Sequence, residues 1–82
     1  MGRCAAARVL IKRSFSLAGH RTSVALEGEF WDALAALAAT RGVTLAALVL
    51  EVDSARNPAR NLASSLRVLV LQAAMAASRR SD

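Results

Sequence analysis

The chain has 82 residues, 55% of them hydrophobic and 4% aromatic, with eleven basic side chains against six acidic ones and a formal charge of +5. That length makes one small domain, too short to bury a large core alone. A single cysteine, Cys4, excludes an intrachain disulfide and a cysteine-based metal site, and no apolar run approaches the roughly 18 residues of a membrane span.

The charge is unevenly placed. No acidic residue precedes Glu27, whereas Arg3, Arg8, Lys12, Arg13 and Arg21 lie in that part and carry the whole excess. A basic end suits a polyanion, an anionic membrane surface or a targeting peptide, and charge alone does not choose among them. Arg8 interrupts Ala5-Ala6-Ala7 and Val9-Leu10-Ile11, leaving runs too short for a secretory signal. An acid-free, arginine-rich start also fits an organellar transit peptide, but the basic residues continue into the first strand-like stretch. The expectation is a cytoplasmic protein with no membrane partner.

In chain order, residues 1–12 read as a basic, flexible arm. Arg13 to Leu17 alternates, with Phe15 and Leu17 against Ser14 and Ser16. This stretch is either the first half of a long ribbon or one arm of a hairpin turning at Ala18-Gly19-His20, and the sequence leaves both open. His20, the one histidine, has no second ligand at metal spacing, so a polar strand residue or phosphate neighbour is expected, with no metal. Arg21 to Leu26 alternates as well: Thr22, Val24 and Leu26 on one side, Arg21, Ser23 and Ala25 on the other. As a lone strand it would leave backbone groups unpaired, which a second copy of the chain could satisfy. The expected assembly is therefore a dimer or higher homo-oligomer with Val24 and Leu26 in its interface.

Helical spacing takes over at Glu27. Phe30, Leu34, Leu37 and Ala38 share one face, and Trp31 lies about 100° round from Phe30, where it is expected to meet a partner chain. Gly42 supplies a left-handed cap and Thr44 an N-cap for the next helix, whose stripe is Leu45, Leu48, Val49 and Val52. Glu51 and Asp53 are two residues apart, share no face and have no nucleophile beside them, so no catalytic residue and no enzyme is expected. Nor does any pattern call for a cofactor.

Residues 57–60, around Pro58, form a linker turn closing a core that spans 13–56. Asn61 caps a third helix over 61–78. Leu62, Leu66, Leu69, Val70 and Ala73 make one stripe, and Val68, Leu71 and Met75 another. A helix apolar on two sides asks for more than one neighbour. The second stripe is the expected contact for a tetramer of paired dimers or for another protein.

These parts carry a resemblance. The Arg21–Leu26 stretch, the Phe30, Leu34 and Leu37 spacing, and Gly42-Val43-Thr44-Leu45-Ala46-Ala47-Leu48 resemble the ribbon-helix-helix DNA-binding family over residues 20–56. Gly19-His20-Arg21-Thr22-Ser23, Phe30-Trp31-Asp32 and Asn61 to Val68 are similar to a bacterial subgroup of short members. The resemblance implies a mainly α fold with a short β-ribbon, an intertwined dimer and, here, an additional C-terminal helix. It implies an antiparallel ribbon in the major groove of double-stranded DNA, with Arg21, Ser23 and Ala25 toward the bases. It implies phosphate contacts from Val43, Thr44 and Leu45, to which the basic Arg3, Arg8, Lys12 and Arg13 would add. Ala25, which cannot hydrogen-bond a base, and Leu45, which stands where a polar residue would help, depart from that pattern. The implied function is transcriptional regulation. An oligomerisation, adaptor or antitoxin-like module with little DNA readout is the alternative.

Overall fold

The computed structural model describes residues 9–80. Two antiparallel strands, β1 (Leu10–Leu17) and β2 (His20–Glu27), are followed by helices α1 (Gly28–Arg41), α2 (Leu45–Ala55) and α3 (Leu62–Arg80).

The ribbon forms inside one chain. Leu10 pairs with Glu27, Ser14 with Ser23 and Leu17 with His20 in an unbroken ladder, so the strand at 21–26 has a partner within its own chain and leaves only its outer edge open. That corrects the expectation of a lone strand and answers the open question at 13–20: it is a hairpin arm. β1 also starts at Leu10, inside the stretch read as an arm. The turn explains the choice. Ala18 (φ 51°) and Gly19 (φ 87°) both take positive φ, as a two-residue primed turn requires, and this turn matches the right-handed twist of paired strands. Gly19 adopts it freely; Ala18, with its Cβ, does so at a cost of about 1–2 kcal/mol.

Pairing places partners on one face. Ile11/Leu26, Arg13/Val24, Phe15/Thr22 and Leu17/His20 form the inner face, and Lys12/Ala25, Ser14/Ser23 and Ser16/Arg21 the outer one. Leu17, Val24 and Leu26 are buried, together with Trp31, Leu34 and Ala38 of α1, Leu48 and Val49 of α2, and Leu62 and Leu66 of α3. A two-stranded hairpin is marginal by itself, and this one is held by the helices. Residues of α1 and α3 pack on β2, and those of α2 on β1.

Trp31 is the main departure from the expected packing. It is 3% exposed within its own chain, where a partner contact was expected, and Phe30 is only partly buried. The indole ring lies 5.9 Å from that of Phe15, and its N–H donates to the Ile11 carbonyl at 2.7 Å. Val24 and Leu26 are likewise interior, not interfacial. The reason is common to all three: β1 doubles the sheet surface that α1 must cover.

The punctuation of the helices follows the sequence. Gly42 (φ 72°) ends α1 with a Schellman pair, its own N–H donating to Ala39 and that of Val43 to Ala38. Thr44 caps α2, accepting the Ala47 N–H at 3.0 Å, and the chain bends by 96° between α1 and α2. Asn57 accepts the Ala59 N–H through its side chain in the Pro58 turn, and Asn61 caps α3 by accepting from Ser64 at 2.8 Å. α3 runs to Arg80, two residues beyond the expected end at 78. Among the described residues no single helix is long and apolar enough to cross a membrane.

The turn gives a direct check on this hairpin. Ala18→Asn, which tolerates positive φ, should stabilise the protein by about 0.5–1 kcal/mol. For a domain this small that is a rise of several degrees in Tm; a fall in Tm would exclude the primed turn.

Candidate nucleic-acid interface

The outer face of the hairpin is built by alternation alone. With Leu17, Val24 and Leu26 committed to the core, Lys12, Ser14, Ser16, Arg21 and Ser23 must point away from the helices, and all are exposed. Ala25 joins them half-buried. Between Lys12 and Ala25 at one end and Ser16 and Arg21 at the other, this face holds no carboxylate. At its centre the Ser14 and Ser23 hydroxyls lie 3.1 Å apart in a hydrogen bond that either can donate. Each hydroxyl keeps capacity for another partner.

Arg21, Ser23 and Ala25 thus share a surface, as the alternation requires. Lys12 is brought to the same surface. Arg13 is not: it lies on the inner side, its guanidinium 5.3 Å from the centroid of the Trp31 ring. Arg3 and Arg8 fall outside the described residues. Ser14 and Ser16 were not singled out as site residues. Their signal was present in the alternation of 13–17, but it acquires meaning only once β1 is paired in register with β2.

The start of α2 is more limited than its sequence suggests. The Val43 N–H is already given to Ala38, so this amide is not available to an anion, and the Val43 side chain is exposed, 42%. The Thr44 hydroxyl is engaged as a cap. The amides of Leu45 and Ala46, first in the helix, have no acceptor within the described residues.

Several arginines serve the scaffold. Arg41 pairs with Glu51 at 3.4 Å and Arg56 with Asp53 at 3.0 Å. These pairs occupy the two carboxylates whose spacing argued against catalysis. Arg67 of α3 donates through Nε and Nη2 to one Glu27 oxygen at 3.2 and 3.0 Å, and lies 5.6 Å from the centroid of Phe30. Its side chain is about one-third exposed, so the pair contributes about 1 kcal/mol or less, against about 1.5–3 kcal/mol for each buried Leu or Val beside it. The pair aligns α3 on the ribbon; the core holds it there.

α3 presents an open apolar side. Leu71 and Met75 are 57% and 52% exposed, Val68 partly so. Val68 and Leu71 line a groove of about 360 Å³ with Phe30, Ser64, Arg67, Val70 and Ala74. Among the described residues no three His, Cys, Asp or Glu side chains are grouped to hold a metal.

No curated protein and no solved structure matched the chain. A family model did. It describes a ribbon-helix-helix domain and aligns with residues 10–74, from the first residue of β1 well into α3. Domains of that kind generally bind DNA as dimers. With the match spanning residues 10–74 and a two-stranded ribbon leading into helices, the chain belongs to the ribbon-helix-helix family.

Proposed function

We propose that the protein is a DNA-binding regulator that lays the outer face of its hairpin in the major groove. The observation carrying this reading is the face itself: a regular ribbon with Lys12, Ser14, Ser16, Arg21 and Ser23 exposed and no carboxylate among them. A two-stranded ribbon fits a groove about 12 Å wide, where Arg can bond guanine O6 and N7 together and Ser can bond several bases. Ala25 makes at most an apolar contact, such as one with a thymine methyl. Phosphate contacts come from Thr44 and the free amides at the start of α2, from Lys12, and from Arg3 and Arg8, which precede β1 in sequence.

A second reading rests on a different surface. Leu71 and Met75 stand open beside an apolar groove on α3, and a patch of this kind on a small domain marks a contact with another protein surface. In this reading α3 joins copies of the chain into the dimer that the family generally forms, or into a tetramer, or holds another protein. A module that only assembles would use this face and leave the ribbon idle.

Two measurements separate the readings. Arg21→Ala should cost about 1–3 kcal/mol of specific binding and relax preference at one base position, while deletion of residues 1–8 should weaken all duplexes alike and flatten the salt dependence. Binding that is insensitive to Arg21 would remove the ribbon from the readout. Leu71→Glu should lower the sedimenting species to a smaller, still folded assembly. An unchanged assembly would leave the α3 patch without this role.

A further inference from the structure

We infer that the cleft between the end of α2, the 56–60 turn and α3 binds a small organic acid, its carboxylate on Arg56 and Arg60 and its apolar body on the floor between the helices. The inference goes beyond the DNA-binding reading and does not depend on it.

The cleft arises where the chain passes from one helix to the next. Pro58 keeps α2 from running on, and residues 56–60 carry the chain across to Asn61, which caps α3. Val52 of α2 and Val68 and Leu69 of α3 are half-buried at the junction. Together with the turn they line a space of about 270 Å³. That volume lies near the lower bound for small-molecule sites and suits a compact metabolite, not a peptide.

The turn is braced from within. Arg56 donates through Nε to Asp53 Oδ1 at 3.0 Å and through Nη1 to the Arg60 carbonyl at 2.8 Å. Asn57 accepts the Ala59 N–H with its side-chain oxygen, and its carbonyl accepts from the Arg60 amide. Two bonds thus fix the plane of the Arg56 guanidinium and leave Nη2 uncommitted among the described residues. An arginine held in this way costs a ligand less ordering than a free one.

The sign of the ligand follows from the lining. Arg60 is exposed at the rim, and its guanidinium has no ion pair among the described residues. Asn57, with its oxygen already used, offers its NH2. Ser65 and Gln72 add neutral polar groups. No carboxylate lines the space, and Asp53 is already bonded to Arg56. Donors therefore dominate and one positive charge stands unbalanced: a cation would be repelled, and a neutral molecule would make no use of the charge. A planar carboxylate matches the guanidinium fork. A bare phosphate, free or in a nucleic-acid backbone, would leave Val52, Val68 and Leu69 uncovered. The site also lies between the helices that hold the ribbon, since α2 packs on β1 and α3 on β2.

The test follows the amide resonances of the whole labelled chain during titration with sodium phenylacetate and sodium hexanoate, against phenylacetamide and hexanamide at the same ionic strength. Both acids should give shifts that saturate by about 10 mM and centre on residues 52–60 and 65–72. The amides, which lose the charge-assisted bonds, should bind about ten-fold or more weakly. Arg60→Gln should weaken the acids by about the same factor and leave the amides unchanged. Ala55→Phe, at an exposed lining position, should close the cleft to both, and Gln72→Glu should repel the acids alone. All three positions are exposed, so each variant should keep the native spectrum elsewhere. Equal binding of acid and amide, acid shifts that survive Arg60→Gln, or no saturable shift with either acid would overturn the inference. So would shifts that follow the ribbon face instead, or inorganic phosphate binding as tightly as the acids.

Discussion

The fold depends on how the hairpin is clamped to the first helix. Trp31 stands at the start of α1, buried under β1, with Phe15 against its ring and its N–H on the Ile11 carbonyl. An unbonded indole N–H in that position would cost about 1–3 kcal/mol; bonded, it fixes the height and angle at which the ribbon meets the helix. Arg13 closes the exposed side of the ring. Thus one face of the ribbon is immobilised by apolar contact and the other is left entirely to solvent or a ligand. No part of the outer face is needed for the core. That separation leaves Lys12, Ser14, Ser16, Arg21 and Ser23 without a part in the core.

Much of this was legible in the residues, and the exceptions share one cause. The alternation at 21–26, the left-handed cap at Gly42, the N-caps at Thr44 and Asn61 and the turn at Pro58 are local rules, satisfied by neighbours in sequence. They appear in the structure where local chemistry puts them. What local rules left undecided was whether 13–17 folds back on 21–26. Ala18-Gly19 is a weak turn signal, because Ala seldom takes positive φ. Without that pairing Trp31 has no surface in its own chain to cover, and a second chain seemed needed for it, for Val24 and for Leu26. Because the hairpin stayed one of two open alternatives, three residues that the chain buries in its own core, Val24, Leu26 and Trp31, were assigned to an interface. The open choice also hid Ser14 and Ser16 as candidates for the site.

The two exposed surfaces are chemically unlike. The ribbon face is polar and cationic, suited to a partner rich in hydrogen-bond acceptors and negative charge. The open side of α3, with Leu71 and Met75, is apolar and suited to a protein surface. Between them runs a short structural path: Arg67 lines the α3 groove, lies over Phe30 and bonds Glu27, the last residue of β2. An assembly formed on α3 would thus be built against the same element that fixes the base of the ribbon, setting where one reading face stands relative to the next.

The proposed contact with DNA lies on the outer face of the ribbon, with Lys12, Ser14, Ser16, Arg21 and Ser23. The most direct measurement is a titration of the isotopically labelled protein with duplex DNA, followed by amide and side-chain resonances. The largest changes should fall on Lys12, Ser14 and Ser16 together with Arg21 and Ser23, with the alternate residues Phe15, Leu17, Val24 and Leu26 much less affected. Changes confined to β2, or centred on α3 with the hairpin silent, would contradict it.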